Sequence, residues 1–159
     1  MEYLGLIIKK GQLSMDPVKI KGISGWPVPT TVKQVRAFLG FRNFYRRFIP
    51  KFSELALPLN NLLEKDMQFN WTLACQELFD TLKKRFTEEP VLMMPDHPQT
   101  FQIESDPSKY TSGAVLTQMD SNGDRHPVAF MSKMFNDTEK RYEIYDQELL
   151  GIVQALKEW

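Results

Sequence analysis

The hydrophobic pattern of this chain changes period near residue 90, so it has to be read as a helical module followed by a sheet-forming one. Before that point apolar residues recur at helical spacing: Val35, Phe38, Leu39 and Phe48 in one run, Leu78, Phe79, Leu82 and Phe86 in another. After it, Phe101-Gln-Ile-Glu-Ser-Asp106 alternates as a half-buried strand does. Residues 113–119 and 126–132 are further strand-like runs, and Asn122-Gly123 between them is a strong hairpin signal. At 159 residues the chain is one large domain or two small ones.

The punctuation fills in the elements. Residues 2–15 read as a hairpin, with an apolar strand over 3–8, a turn at Lys9-Lys10-Gly11 and a return strand over 12–15. Residues 16–29 are rich in proline and predict extended chain. Thr31 is placed to cap a helix from Val32 to about Phe48, which Pro50 ends. Ser53 is placed to cap a second helix to about Lys65, kinked or split by Pro58, and Thr72 starts a third that runs to Phe86. Residues 91–94 form a short apolar strand that opens the second module. Asp137 or Thr138 caps a last helix, expected to bury Tyr142, Tyr145, Leu149, Ile152, Val153 and Leu156. The fold class is α+β: a helical module with an N-terminal hairpin, then an incomplete β-β-β-α module. The last helix lacks a C-terminal signal and the sheet would have one bare face, which predicts a piece of a longer polypeptide.

Charge divides the chain in the same way. Acids and bases balance at 20 each, but residues 1–100 carry 14 Lys/Arg against 10 Asp/Glu, and residues 101–159 carry 6 against 10. From Pro17 to Ser53 there is no acid and there are eight cations, interleaved with aromatics. That composition suits a polyphosphate backbone. The aromatics Phe38, Phe41, Phe48 and Phe52 are read first as core, and Arg36, Arg42, Arg46 and Arg47, in a stretch without acids, as phosphate contacts. One cysteine, Cys75, excludes an internal disulfide framework and a cysteine zinc site, and makes a reducing, intracellular setting the default. No apolar run spans a membrane, and neither a glycine-rich phosphate loop nor a nucleophilic triad is present. His97 and His126 lack partners at metal-ligand spacing and read as structural.

In this order, several segments resemble the reverse transcriptase polyprotein of gypsy-type long-terminal-repeat retrotransposons. Tyr3-Leu-Gly5, Asp16-Pro-Val-Lys19 and Trp26-Pro-Val-Pro29 are similar to the end of the palm and the entry to the thumb. Phe38-Leu-Gly-Phe-Arg-Asn-Phe-Tyr-Arg-Arg-Phe-Ile49, Phe52-Ser53 and Pro58-Leu59 are similar to the thumb. Phe69-Asn-Trp71, Cys75 and Pro90-Val-Leu92 are similar to the connection. Glu104-Ser-Asp-Pro-Ser108, Gly113-Ala-Val-Leu116, His126-Pro-Val-Ala129 and residues 148–159 are similar to the first half of the ribonuclease H domain. The boundaries implied are 1–29 for the end of the palm and a linker, 30–89 for thumb and connection, and 90–159 for a partial ribonuclease H-like domain.

The resemblance carries roles onto particular residues. Arg36, Gly40 and Phe44 fall at i, i+4 and i+8 on one helix face. That face is expected to track the minor groove of a primer–template or RNA/DNA hybrid, with Arg42, Arg46 and Arg47 on phosphates. Leu4 and Gly5 match the loop that holds the primer end, although as bare sequence they belong to an ordinary hairpin strand. Asp106 and Glu148 match two of four acidic ligands for a pair of Mg²⁺ (or Mn²⁺) ions. The other two positions fall after Trp159, and the family's Tyr-X-Asp-Asp polymerase motif is absent. Pro107 also stands where the family usually has alanine. The parent would copy RNA into DNA and cleave the RNA of the hybrid. This chain alone is expected to bind nucleic acid without catalysis and to hold the metal weakly; a non-catalytic interaction module of retroelement origin is the alternative. Its partners would be the duplex and the rest of the polyprotein, in a cytoplasmic particle or the nucleus.

Overall fold

The computed structural model describes residues 2–3, 5–43, 45–65, 67–88 and 91–159; of residues 2, 3, 42 and 43 it describes the backbone alone. Strands β1 (Glu2–Tyr3), β2 (Leu6–Lys9) and β3 (Gln12–Met15) open the chain. The hairpin turn falls where expected, with Lys9 opposite Gln12 and both turn residues at positive φ, Lys10 at 44° and Gly11 at 75°. The single strand expected over 3–8 is instead broken by a tight reversal at Gly5, whose φ of 78° suits glycine, so β1 folds back on β2.

Residues 16–29 are not wholly extended. Asp16 accepts the Val18 N–H at 2.8 Å and Pro17 takes the first helical position, which starts α1 (Pro17–Ser24). Helix α2 (Val32–Asn43) begins as expected, with the Gln34 N–H on Thr31 Oγ1 and the Gln34 side chain returning to the Thr30 N–H at 2.7 Å. It stops five residues short of Phe48. A 3₁₀ turn over Arg46–Phe48 follows, and its three-residue repeat lets Tyr45 and Phe48 both enter the core. The expected second helix is split into α3 (Phe52–Leu55) and α4 (Leu57–Asn61), with the break at Ala56, just before Pro58. Ser53 is no cap; Lys51, at φ 52°, precedes α3 instead. Helix α5 (Leu73–Thr87) starts on the Thr72 cap and buries Cys75, Phe79, Leu82 and Phe86.

These helices share one large core. Phe38, Phe48, Phe79 and Phe86 are fully buried, and the Phe38 and Phe79 rings meet at 4.8 Å. Phe52 is buried too, while Phe41 is half-buried against Trp26 at 5.4 Å. The core also takes Leu92, because β4 (Leu92–Met93) pairs with β3 and completes a four-stranded antiparallel sheet. The 91–94 run therefore belongs to the first module's sheet and not to the second. A two-residue apolar strand carries no mark of which edge it joins.

The second module is a three-stranded antiparallel sheet of β5 (Gln102–Ser105), β6 (Thr111–Met119) and β7 (Arg125–Met134). Its hairpin turns at Gly123, φ 85°. Helix α6 (Ile144–Glu158) covers one face, and the helical module covers the other, where Phe130 packs against the large core. The expected α6 face is corrected. Asn136 caps a separate 3₁₀ turn over Glu139–Arg141, and α6 starts only at Ile144. It lays Gln147, Gly151, Gln154 and Ala155 on the sheet. Tyr145, Leu149 and Leu156 are 80%, 61% and 63% exposed, and Tyr142, Ile152 and Val153 are exposed as well. Gly151 fits the choice: a Cβ there would stand 2.5 Å from Ser105 Oγ, so glycine allows this approach of helix to sheet without displacing the serine hydroxyl.

Candidate nucleic-acid interface and carboxylate pair

Helix α2 has two unlike sides. Val35, Phe38 and Leu39 are buried, whereas Lys33, Arg36 and Gly40 are exposed. Arg36 and Gly40 lie one turn apart on the outer face, and open space surrounds the Gly40 Cα where a Cβ would project. No acid lies on the helix. Phe44 and Leu4 lie outside the described residues, and Arg42 is placed by its backbone in the last turn of α2. Arg47 is exposed. Arg46 is half-buried and donates Nη2 to the Ser132 carbonyl on β7 at 3.1 Å, so it faces the sheet. The Gly5 carbonyl accepts the Tyr45 hydroxyl at 3.4 Å, which ties the β1–β2 reversal to the segment after α2.

The two candidate carboxylates are carried by different layers. Asp106 continues the β5 ladder, its N–H on the Gly113 carbonyl at 2.8 Å. Alternation puts Ser105 on the α6 face, beneath Gly151, and Asp106 on the opposite face with Glu104 and Phe130. There Lys51 Nζ meets Asp106 Oδ2 at 2.6 Å. Hydrogen bonding to that carboxylate, reinforced by its charge, holds Lys51 above the ordinary lysine value. Glu148 is exposed on α6. No hydrogen bond or ion pair joins Asp106 to Glu148. Among the described residues no group of three or more His, Cys, Asp or Glu side chains converges on a point. Glu104 pairs with Arg125 across the sheet. Asp120, in the β6–β7 turn, is held below the usual carboxylate range by the Asp124 N–H and then by His126, whose Nε2 lies 3.0 Å from it.

Sequence reasoning missed the seam between the modules. Ser53 donates its N–H to Ser132 Oγ at 2.8 Å and its hydroxyl to the Ser132 carbonyl at 2.9 Å, beside the Arg46 and Lys51 contacts. Lys51 was visible as a cation in the acid-free stretch, but nothing in the sequence paired it with an acid 55 positions on.

Residues 71–159 match the RNase H-like domain found in reverse transcriptase. The chain belongs to that family. It is similar along its length to the retrovirus-related Pol polyprotein from transposon 297 of Drosophila melanogaster, 38% identical over 156 residues, 98% of this chain and 14% of the relative. It is 33% identical over 159 residues to the transposon Tf2-3 polyprotein of Schizosaccharomyces pombe, covering all of this chain and 12% of that one. The RNase H-like chain thus spans only a small part of these relatives. Its fold matches the foamy viral protease-reverse transcriptase dRH in complex with double-stranded DNA, with a TM-score of 0.85 at 22% identity over 99% of this chain and 28% of the other. The foamy viral enzyme in complex with RNA/DNA hybrid matches with a TM-score of 0.84 at 22% identity over 99% of this chain and 21% of that one. The chain is a reverse transcriptase/RNase H region of a retroelement polyprotein type.

The RNase H-like family generally uses divalent metals. Two hard cations need several carboxylate oxygens converging on them. The residues described here do not fit that requirement: Asp106 is occupied by an ammonium, and Glu148 rises from the layer on the other face. No helix among the described residues is long and apolar enough to cross a membrane.

Proposed function

We propose that this chain holds an RNA/DNA hybrid or primer–template duplex along the outer face of α2, and does so without cutting it. The observation that carries the reading is that face itself: Arg36 and Gly40 exposed one turn apart on a helix without acids, with open space over Gly40. A hybrid has a wide, shallow minor groove that a helix side can follow. Glycine lets the backbone approach the sugars, and Arg36 can reach a phosphate. The fold neighbours were solved holding double-stranded DNA and RNA/DNA hybrid, which supports a duplex as the partner. The absence of cleavage is supported by the Lys51 ammonium on Asp106. In the parent polyprotein the region would serve RNA-directed DNA synthesis and hybrid cleavage with Mg²⁺ or Mn²⁺. The rest of that polyprotein is the second proposed partner, supported by the exposed apolar side of α6. A cytoplasmic particle or the nucleus is the proposed location.

A salt titration tests the α2 reading. The affinity for a labelled hybrid is expected to fall steeply between low and moderate salt. Arg36→Ala is expected to weaken binding several-fold and to lower the salt slope by about 1. Affinity that is indifferent to salt, or to Arg36→Ala, would overturn it.

A further inference from the structure

Lys51 and Asp106 differ from an ordinary surface ion pair in how they are held. The Lys51 backbone is in the left-handed region, φ 52°, between the 3₁₀ turn and α3. On both sides of it the chain is pinned to β7: Arg46 donates to the Ser132 carbonyl, and Ser53 both donates to that carbonyl and gives its N–H to Ser132 Oγ. Asp106 is fixed in turn by its ladder bond to Gly113. Both partners therefore stand on fixed backbone, with side chains that are 53% and 69% exposed. They meet at a cavity of about 230 Å³ whose lining includes Pro50, Lys51, Glu104, Asp106, Val115 and Phe130. An ammonium at 2.6 Å from Oδ2 takes part of the carboxylate's acceptor capacity and offsets its charge, both of which a divalent ion would draw on.

We propose that Lys51 is the resident counter-ion of Asp106 and excludes a divalent cation from that carboxylate, so that the closed seam between the modules and metal ligation by Asp106 are alternatives. The seam then decides whether the acidic position can enter a metal shell. By linkage, a metal that takes Asp106 loosens the seam as much as the seam weakens the metal. This stands independently of whether α2 holds a duplex.

The test is a Mn²⁺ titration of the isotope-labelled 159-residue chain, reading paramagnetic broadening at the Asp106 and Gly113 amides. Lys51→Gln is expected to reach half-broadening at a Mn²⁺ concentration lower by about two- to fivefold, the upper part of the scale for an exposed pair. Lys51→Arg, which keeps the charge, is expected to follow the wild type, and Asp106→Asn to abolish the broadening. The Ser53 amide shift reports whether the seam backbone survives in each variant. A second reading needs no variant: in the wild type, Lys51 side-chain resonances must move in step with those of Asp106 as Mg²⁺ is added. Superimposable curves for the wild type and Lys51→Gln, whether strong, weak or flat, would overturn the proposal. So would Mg²⁺ occupying Asp106 with Lys51 unmoved.

Discussion

Towards the helical module, the β5–β7 sheet presents Phe130 to a large aromatic core and Ser132 to three hydrogen bonds from Arg46 and Ser53. Towards α6 it presents Ser105, Ser112, Ala114 and Met131, and the helix answers with Gln147, Gly151, Gln154 and Ala155. The first face is joined by volume and directed polar bonds. The second is joined by close approach of small groups, and it leaves the Ser112 hydroxyl and Gln154 Oε1 buried without a hydrogen-bond partner. Burying apolar area stabilises in proportion to the area removed from water, and unpaired buried polar atoms cost free energy. The α6 layer is therefore the weaker attachment, although its helix is among the longest in the chain. The apolar side of α6 that sequence patterning assigns to the core is spent on neither face.

The largest effect should come from the shared aromatic core. Phe79 is fully buried between Phe38 and Trp71, with ring separations of 4.8 and 5.8 Å. Phe79→Ala is expected to cost about 3–5 kcal/mol, a large share of the stability of an ordinary domain, in chemical denaturation. It should unfold both sheets together, since β4 and Phe130 enter that core. A variant that lost the helices while retaining a protected β5–β7 sheet would break the comparison.

A smaller and local effect is expected at the other face. Gly151→Val places carbon where Ser105 Oγ and Ser112 Oγ lie 2.5 and 3.2 Å from even a Cβ. The overpacking should cost about 1–3 kcal/mol. Hydrogen exchange should show it as lost protection confined to α6, with α5 and the β2–β3 hairpin unchanged. Equal loss in all three would mean that α6 is as firmly integrated as the core.

Much of the fold was legible because its signals are local. Thr72 capping α5, the positive-φ pair at Lys10 and Gly11, and the alternation through β5 each depend on a few neighbouring residues. The α1 signal was equally local, Asp16 followed by Pro17, but the prolines further on concealed it. What could not be read depends on partners far along the chain. The Ser53–Ser132 bonds join positions 79 apart, and Ser53 looked like a helix cap because its real acceptor lies in another module. The buried face of α6 was misassigned for a related reason: an apolar stripe shows that a helix has a greasy side, not that the sheet accepts it. Gly151, read beside Gln147 and Gln154, was the available clue. For the candidate site, Asp106 and Glu148 were found as positions, but strand parity alone could not show that Lys51 would reach Asp106 first.

In the proposed arrangement α2 carries the nucleic acid while α6 faces other protein. Chemical-shift mapping on adding an RNA/DNA hybrid, in buffer without divalent ions, tests it directly. Perturbations are expected to centre on the Lys33, Arg36 and Gly40 amides, with Leu149 and Leu156 unmoved. Perturbations centred on α6, with α2 silent, would contradict it.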